Sequence, residues 1–359
     1  MASYGEVLSV LKNFRNELHT QKQAEVSAQF SPTSARSARR AGAFAARGGV
    51  SAFATPLTNV HATGVGVRVR EGKVLENEFV IKVYVFDKQD LGEATPKLTQ
   101  SFQDVEIDVE PLPIQIALAA AVGPANRRRR RPIPGGMSVA PLNAPFVGTL
   151  GGFVRRVSNG VTQTFALSNN HVFADVNSLP IGTQIVQPGP EVGPTKPGDI
   201  FAALSAFTPI QFPSPAAPAV TNRFDAAIAI VSNLTLIRTG AMLGIPSYAP
   251  TLLAPVPGMR VTKSGRTTGV TTGTITATGV NGVQVDYGTP THPRIATFND
   301  TIEIVGDGDT PFSLPGDSGS LILDRATGRP VALLFAGDGT TTTACDVGAV
   351  CQELQAFPV

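Results

Sequence analysis

Ser318 is the residue of this chain best suited to act as a nucleophile, because it lies in the segment Gly316-Asp317-Ser318-Gly319. A serine hydroxyl is a poor nucleophile unless a base removes its proton and hydrogen-bond donors stabilise the oxyanion that its attack creates. Glycine on both sides lets the backbone bend sharply, so the N–H groups of Gly316 and Ser318 can point at one position. The alternative is a polar turn after a strand. The segment predicts a nucleophilic serine whose oxyanion hole is formed by Gly316 and Ser318.

The chain has four histidines, and His171 is the best candidate for the base. It follows the alternating run 161–167 and lies where this predicted strand gives way to a loop. Active-site side chains are commonly offered at such strand ends, where a rigid sheet holds them. The other three, His19, His61 and His292, lie in a predicted helix, a Gly/Thr-rich connection and a loop. A histidine that only caps the next turn is the alternative interpretation.

Asp225 is the best candidate for the acid that orients this base. It lies at the start of the apolar run 224–231, which predicts a buried strand. An unpaired buried charge is costly, so a carboxylate there needs a partner, and an imidazole N–H is a suitable one. Asp225 could instead end the Pro/Ala-rich loop before it, the usual place for an aspartate. Asp175 is a less suitable candidate because it falls in the same predicted turn as His171.

The three candidates resemble the catalytic triad of the chymotrypsin-like serine peptidases. The chain order His171, Asp225, Ser318 is that of this family, whereas other folds with the same triad have different orders. A further segment, Ser-Gly-Arg-Thr-Thr-Gly at residues 264–269, is similar to one in secreted bacterial members related to alpha-lytic protease. In those members the segment begins the second barrel.

Two segments are more similar still to the trypsin-like domain of NAL1-type proteins of bacteria and plants. They are Leu-Ser-Asn-Asn-His-Val at residues 167–172 and Phe-Ser-Leu-Pro-Gly-Asp-Ser-Gly-Ser at residues 312–320. The resemblance extends over about residues 140–350. It implies a mainly β chain with a chymotrypsin-like double antiparallel β-barrel, in which the base and the acid come from the first barrel and the serine from the second.

Several positions depart from the family pattern. Where the relatives carry cysteines, this chain has Val172, Leu314, Thr262 and Thr272, and the residue after the Gly-Asp-Ser-Gly segment is Ser320. None of these is a triad position. Together they remove the disulfides of the secreted members.

The resemblance also implies an ion pair that supports the oxyanion hole. In animal trypsin-like enzymes a freed N-terminal amine pairs with the aspartate before the serine, which is Asp317 here, and secreted bacterial members use the arginine of the 264–269 segment instead. That arginine is Arg266. We predict an Arg266–Asp317 ion pair and an enzyme that needs no N-terminal processing. Activation of a zymogen would require cleavage after Arg131. The proline that follows Arg131 would resist that cleavage, which agrees with this prediction.

Phe312 is the predicted floor of the specificity pocket. Trypsin has an aspartate six residues before its nucleophile at the base of this pocket, and Phe312 occupies that position here. An apolar floor does not favour a buried Lys or Arg side chain, so we predict small or apolar P1 residues.

The composition predicts short strands and a reducing compartment. The 359 residues include 36 glycines and 29 prolines but few aromatics, which favours strands joined by tight turns. Cys345 and Cys351 make a poor disulfide framework and lack histidines for a zinc site, so no metal or organic cofactor is predicted. The N-terminus lacks an apolar signal-peptide core, and residues 114–122 are too short to span a bilayer. We expect a cytoplasmic protein with no membrane partner.

The formal net charge of +2 conceals segregated charges. The run Arg127–Arg131 lies in an acid-free stretch between Glu110 and Asp175, and such runs can bind nucleic acid or an acidic partner. No aromatic-interleaved nucleic-acid module accompanies it, which argues against nucleic acid and favours a solvated loop. The predicted partner is a protein or peptide substrate.

The N-terminal residues predict an amphipathic helix. Ser3 and Glu6 have capping-box spacing, and Val7, Leu11, Phe14 and Leu18 fall on one face. That face must dock on the body of the chain or on another copy, so a homo-oligomer is one expectation. The predicted segments are an amphipathic helix (1–24), a flexible Arg/Ala/Ser-rich linker (25–59), a small α+β domain (60–122), an Arg/Pro/Gly loop (123–139) that is exposed over 123–136, a first peptidase β-barrel (140–250) and a second with a C-terminal helix (251–359).

The sequence therefore predicts an intracellular serine endopeptidase that acts through an acyl-enzyme intermediate and is regulated by its N-terminal region. Ser318 attacks the scissile carbonyl, His171 transfers the proton and Asp225 orients the imidazole. The first alternative is a catalytically silent trypsin-fold protein that binds or signals through the N-terminal helix and the basic loops. The others are a protease that is silent until a ligand or partner arrives, and an esterase with the same triad.

Overall fold

A computed structural model describes residues 2–29, 60–70, 73–86, 101–116, 125–158, 160–193, 195–289 and 291–359. Among these residues β-strands are far commoner than helices, and the chain divides into two compact units, Met1–Pro113 and Ile114–Val359. The predicted linker lies outside the described residues from residue 30 onward. As predicted, the fold is mainly β, with a chymotrypsin-like pair of β-structures and a small N-terminal α+β unit that carries an amphipathic helix.

The first unit is a helix packed on a small sheet. Strand β1 pairs with β2 antiparallel, β2 pairs with β4 parallel, and β3 pairs with β4 antiparallel. Its elements are α1 (Tyr4–Gln29), β1 (Val60–Arg70), β2 (Lys73–Val85), β3 (Ser101–Phe102) and β4 (Val105–Pro111).

Helix α1 begins with the predicted capping box and ends later than predicted, at Gln29. The Ser3 N–H donates to Glu6 Oε2 (2.6 Å), and the Glu6 N–H donates to Ser3 Oγ (3.3 Å). The predicted apolar face is buried against strands β1, β2 and β4 within the unit. Among the described residues, no helix is both long and apolar enough to cross a membrane.

The second unit begins with a half-barrel. Its antiparallel strands run in the order β23-β9-β10-β13-β12-β11-β7-β8. The elements up to residue 242 are β5 (Gln115–Ile116), β6 (Ile133–Gly135), β7 (Ser138–Pro141), β8 (Gly148–Thr149), β9 (Gly152–Ser158), β10 (Val161–Ser168), α2 (Asn170–Phe173), β11 (Gln184–Val186), β12 (Ile200–Phe207), β13 (Ala227–Val231) and β14 (Ile237–Met242); β23 is Phe357–Pro358.

The prediction that residues 123–136 are exposed is wrong from residue 133 onward. Residues 133–140 are buried and include β6 and the start of β7. Ile133, Met137 and Val139 supply apolar side chains to the half-barrel core, which outweighs the Pro/Gly content of the stretch. The basic run before them is partly anchored, since Arg129 Nε lies 2.8 Å from Asp199 Oδ1.

The rest of the unit closes into a six-stranded antiparallel barrel. Pairing runs in a ring from β15 through β16, β19, β22, β21 and β20 and back to β15. Its elements are β15 (Arg260–Gly265), β16 (Gly269–Asn281), β17 (Val283–Asp286), β18 (Ile295–Phe298), β19 (Thr301–Gly306), β20 (Leu321–Asp324), β21 (Pro330–Gly337), β22 (Thr341–Asp346) and α3 (Val347–Leu354). The predicted C-terminal helix is α3.

Candidate active site

His171 and Asp225 meet because their strands are neighbours. In the antiparallel pair β10 and β13, Ser168 lies opposite Ala227, so residues just after β10 and just before β13 share one end of the sheet. His171 Nδ1 lies 2.6 Å from Asp225 Oδ2, and the His171 backbone N–H donates to Oδ1 at 3.2 Å. A carboxylate can only accept, so Nδ1 carries the proton and Nε2 keeps a lone pair. This is the tautomer that a general base requires.

Ser318 makes a different hydrogen bond in this structure. Its Oγ donates to the Phe335 carbonyl oxygen at 3.3 Å. His171 Nε2 is buried and has no hydrogen-bond partner within the described part of the chain. The structure thus brings the predicted base and acid together but directs the serine hydroxyl to another acceptor. Catalytic hydrogen bonds are often unmade without substrate and form in the Michaelis complex.

Tyr287 and Asn169 also donate hydrogen bonds to Asp225. Neither residue was predicted from the sequence to do so. The Tyr287 hydroxyl donates to Asp225 Oδ2 at 2.8 Å, and Asn169 Nδ2 donates to the Asp225 carbonyl oxygen at 2.6 Å. The rings of Tyr287 and His171 lie edge to face, with centroids 5.8 Å apart. Asn169 belongs to a segment noted in the sequence, whereas Tyr287 carried no recognisable signal.

The turn that carries Ser318 depends on two glycines in left-handed conformations. Gly316 has φ +92° and Gly319 has φ +95°, values that side chains rarely tolerate. A Cβ at position 316 would overlap the Arg266 guanidinium, and one at position 319 would overlap the Thr149 carbonyl oxygen. The glycines that the sequence analysis noted are therefore required by both conformation and space.

The predicted oxyanion-hole donors have no acceptor among the described residues. The neighbouring N–H groups are engaged, since Asp317 N donates to Leu314 O (3.0 Å) and Gly319 N donates to Leu334 O (2.9 Å), but no hydrogen bond uses the N–H of Gly316 or Ser318. An oxyanion hole requires N–H donors that are not engaged within the chain, and these two N–H groups meet that requirement.

Thr149 of β8 connects the half-barrel to the turn that carries Ser318. Its N–H donates to the Ser318 carbonyl oxygen, and its Oγ1 donates to the Gly316 carbonyl oxygen, both at 2.8 Å. Its own carbonyl oxygen accepts from Ser168 Oγ at 2.8 Å. Because Ser168 lies three residues before His171, these bonds link the two halves of the site.

The predicted Arg266–Asp317 ion pair is a misassignment of the cation. Asp317 pairs instead with Lys263, whose Nζ lies 3.3 Å from Oδ2, and both side chains are 0% exposed. The carboxylate also accepts from the N–H groups of Thr267 (2.8 Å) and Leu314 (3.1 Å). Lys263 and Gly265 are two residues apart on β15, so they face the same side of that strand. Arg266 lies beyond the end of the strand.

Arg266 is buried beside the turn and has another anionic partner. Its Nη2 lies 3.3 Å from Glu191 Oε1, and its backbone N–H donates to Thr149 Oγ1 at 3.1 Å. Burial lowers the pKa of Arg266, and the charge of Glu191 opposes that effect.

Phe312 is a core residue and does not line the pocket, contrary to the prediction. Its side chain is 1% exposed and packs in the closed barrel with Val261, Ile275 and Ile304. The cavity beside Ser318 has a volume of about 20 Å³. Its lining comprises Ile116, Ser313, Leu314, Pro315, Ser318, Leu334, Ala336, Gly337 and Gly339. The next residue, Ser313, lines this cavity, whereas Phe312 packs in the barrel core.

The two cysteines are buried and outside any disulfide. Burial raises the pKa of Cys351 to about 12 and also raises the pKa of Cys345. Both thiols therefore stay protonated at neutral pH and are poor nucleophiles.

The fold is a chymotrypsin-like arrangement of β-strands. The family model described as the Nal1 C-terminal domain matches residues 220–346, so the resemblance to NAL1-type proteins is confirmed over that range, which contains Asp225 and Ser318. No curated protein matches this chain.

Several solved bacterial proteases are similar to the chain. The Cellulomonas bogoriensis chymotrypsin is 17% identical with a TM-score of 0.43 and aligns over 63% of this chain and 98% of its own. The Nocardiopsis protease NAPase is 18% identical with a TM-score of 0.42, over 63% and 99%. A glutamic acid-specific serine protease is 16% identical with a TM-score of 0.43, over 63% and 100%.

Proposed function

We propose that this chain is a serine endopeptidase with the triad His171, Asp225 and Ser318. The observation that carries the proposal is the imidazole whose Nδ1 is held by Asp225 while Nε2 keeps an unbonded lone pair. The serine on its glycine turn, with two N–H donors free beside it, supplies the other half of the chemistry.

Each group has one task in the proposed reaction. Ser318 Oγ releases the Phe335 carbonyl, gives its proton to His171 Nε2 and bonds to the scissile carbonyl carbon. The N–H groups of Gly316 and Ser318 stabilise the oxyanion. His171 then passes the proton to the leaving amine as the peptide bond breaks. Water attacks the acyl-enzyme, gives a proton to His171, and the acid product leaves as Ser318 regains its proton.

The cavity beside Ser318 supports a preference for small or apolar P1 residues. None of the described residues that line it carries a charged side chain. A Lys or Arg side chain would find no counter-charge among these residues. Preferred cleavage after arginine would contradict this specificity.

Labelling with a fluorophosphonate tests whether Ser318 is activated. We expect wild type to be labelled and to cut an apolar peptide library, with the cut sites read by mass spectrometry. Ser318→Ala and His171→Ala should each reduce turnover by at least about 10⁴-fold, because the triad acts as a unit. The control Ser232→Ala, at a loop serine bonded to Phe201 O, should keep wild-type turnover. Wild type that neither labels nor cleaves would refute the proposal.

A catalytically silent binding protein is the second candidate, and one observation favours it. The Ser318 hydroxyl is bonded to Phe335 and not to His171. If that arrangement persisted with substrate bound, no proton transfer would occur. The fluorophosphonate separates the two candidates because it reacts only with an activated serine.

A further inference from the structure

Tyr287 brings a hydroxyl to Asp225 from the opposite side of the site. It follows β17 of the second barrel region, and its OH donates at 2.8 Å to the carboxylate oxygen that also holds His171 Nδ1. Its ring contacts Phe212 and Phe298, with centroid distances of 6.0 Å and 6.2 Å. The ring position is therefore maintained by contacts that do not need the hydroxyl.

The electrostatics make Tyr287 a permanent donor. Burial, followed by the charge of Asp225 and the hydrogen bond to it, raises the pKa of Tyr287 well above its ordinary value. The other titratable group beside the carboxylate is the neutral thiol of Cys345. A donor on Asp225 Oδ2 fixes the carboxylate orientation and withdraws part of its negative charge from His171.

We propose that Tyr287 is a positioning residue of the triad. It holds the Asp225 carboxylate in the orientation that aims the imidazole, and it limits how strongly the carboxylate stabilises the protonated imidazole. The inference rests on the proposed function and deepens it, because the second barrel then positions the acid as well as carrying the nucleophile.

Tyr287→Phe tests this role because it removes the hydroxyl and keeps the ring. We expect kcat/KM to fall about tenfold with KM unchanged, since a hydrogen bond to a charged group is lost. The acidic limb of the pH–rate profile should move to higher pH, because the unshielded carboxylate holds the protonated imidazole more tightly. The control Tyr248→Phe removes another buried tyrosine hydroxyl and should change neither quantity.

A titration of the imidazole by NMR makes the test independent of hydrolysis. The His171 signal, identified by its loss in His171→Ala, should titrate at higher pH in Tyr287→Phe than in wild type. An unmoved titration together with an unmoved rate profile overturns the inference. A moved titration in a chain that never cleaves peptides supports the inference and refutes the proposed function.

A second, independent observation concerns the edge of β21 beside Ser318. On one side β21 pairs with β20 as far as Leu333, opposite Leu321. Phe335 comes two residues later and accepts the serine hydroxyl. Two residues further, Gly337 pairs antiparallel with Ile116 of β5. The chain thus adds its own short strand at this edge.

Strand β5 is held firmly in this position. Its other side pairs parallel with β17, with Gln115 opposite Val285 and Ile116 opposite Asp286. The Gln115 side chain is buried, and its Nε2 donates to Asp338 Oδ2 at 3.0 Å. Ile116 lines the cavity that also contains Ser318.

An extended peptide would need the same edge. A strand edge next to the nucleophile offers unpaired N–H and C=O groups, which a peptide satisfies by adding as a further strand. Gly337 cannot pair with such a peptide and with Ile116 on the same side at once. Strand β5 therefore competes with a substrate for the approach to Ser318.

We infer that β5 is an autoinhibitory strand that must leave the β21 edge before a peptide substrate can bind there. An intramolecular competitor lowers the apparent affinity for the peptide. The apparent affinity is the intrinsic affinity multiplied by the fraction of molecules in which the edge is free. The inference rests on the proposed function, but its central claim concerns binding.

Peptide binding to the Ser318→Ala chain tests the competition without catalysis. The probe is a fluorescein-labelled peptide of the chain's own residues 114–120, followed by anisotropy. Adding Ile116→Asp should lower its Kd at least about tenfold, because the strand no longer covers the edge. The matched control is Ile181→Asp, since both side chains are exposed (43% and 59%). Equal Kd values for the two variants, or weaker binding to Ile116→Asp, overturn the inference.

The same substitutions with Ser318 retained separate this inference from the proposed function. Ile116→Asp should hydrolyse the peptide faster than wild type, whereas Ile181→Asp should match wild type. Tighter binding by Ile116→Asp in a chain that a fluorophosphonate never labels supports the autoinhibitory strand and refutes the peptidase.

Discussion

Lys263 and Asp317 form a wholly buried ion pair, and Asp317 is the residue before Ser318. Burial lowers the pKa of Lys263, and the charge and hydrogen bond of Asp317 raise it. The lysine therefore keeps its proton mainly because the carboxylate is present. The carboxylate accepts three further backbone N–H bonds, from Leu314, Thr267 and Thr268, so it fixes the turn as well as neutralising the lysine.

Breaking this pair should destabilise the fold strongly. Lys263→Met leaves a buried carboxylate without its cation, and we expect the free energy of unfolding to fall by about 3–5 kcal/mol. Asp317→Asn should cost a comparable amount by leaving the lysine unpaired. Urea titrations of both variants measure the losses.

The double variant completes a thermodynamic cycle. Lys263→Met with Asp317→Asn should lose less stability than the two single variants added together, because neither charge is then stranded. Strictly additive losses would show that the two groups are energetically independent.

At the scale of elements, local sequence patterns were enough to predict contacts between residues on neighbouring strands. The alternation before His171 and the apolar run after Asp225 identify β10 and β13, and their antiparallel pairing brings the two side chains together. The helix α1 was likewise visible in its cap and its apolar face. Its docking partner was not, because that depends on the sheet formed by residues far along the chain.

Errors arose where one residue of register decides which way a side chain points. Phe312 and Ser313 are adjacent, yet one enters the core and the other lines the cavity. Lys263 and Arg266 are three residues apart across a strand end, and Lys263 makes its ion pair with Asp317 whereas Arg266 makes its ion pair with Glu191. Tyr287 was missed because it lies 62 residues from Asp225 and only the fold brings them together.

At the scale of the second compact unit, stability depends on buried groups that must stay neutral. Tyr248 is 7% exposed, and burial raises its pKa to about 12. An unfolded tyrosine ionises near pH 10. Its contribution to stability is thus complete below about pH 10 and is lost as the pH rises towards 12, because the unfolded chain gives up the proton first.

Tyr248→Phe should therefore flatten the alkaline part of the stability profile. Between pH 9 and pH 11 wild type should lose about 1.4 kcal/mol more of its unfolding free energy than the variant does, the value of one pKa unit. Urea titrations followed by circular dichroism at the two pH values measure the difference. Identical alkaline losses in both proteins would show that this hydroxyl is already ionisable in the folded state.

Gly319 offers a way to judge related chains from sequence alone. Its α-carbon lies where the half-barrel meets the serine turn, with no room for a methyl group between Thr149 and Ser168. A homologue with alanine or a larger residue at that position must hold its two halves further apart, even if it retains histidine, aspartate and serine. A search for chains that share this packing should therefore require glycine at this position.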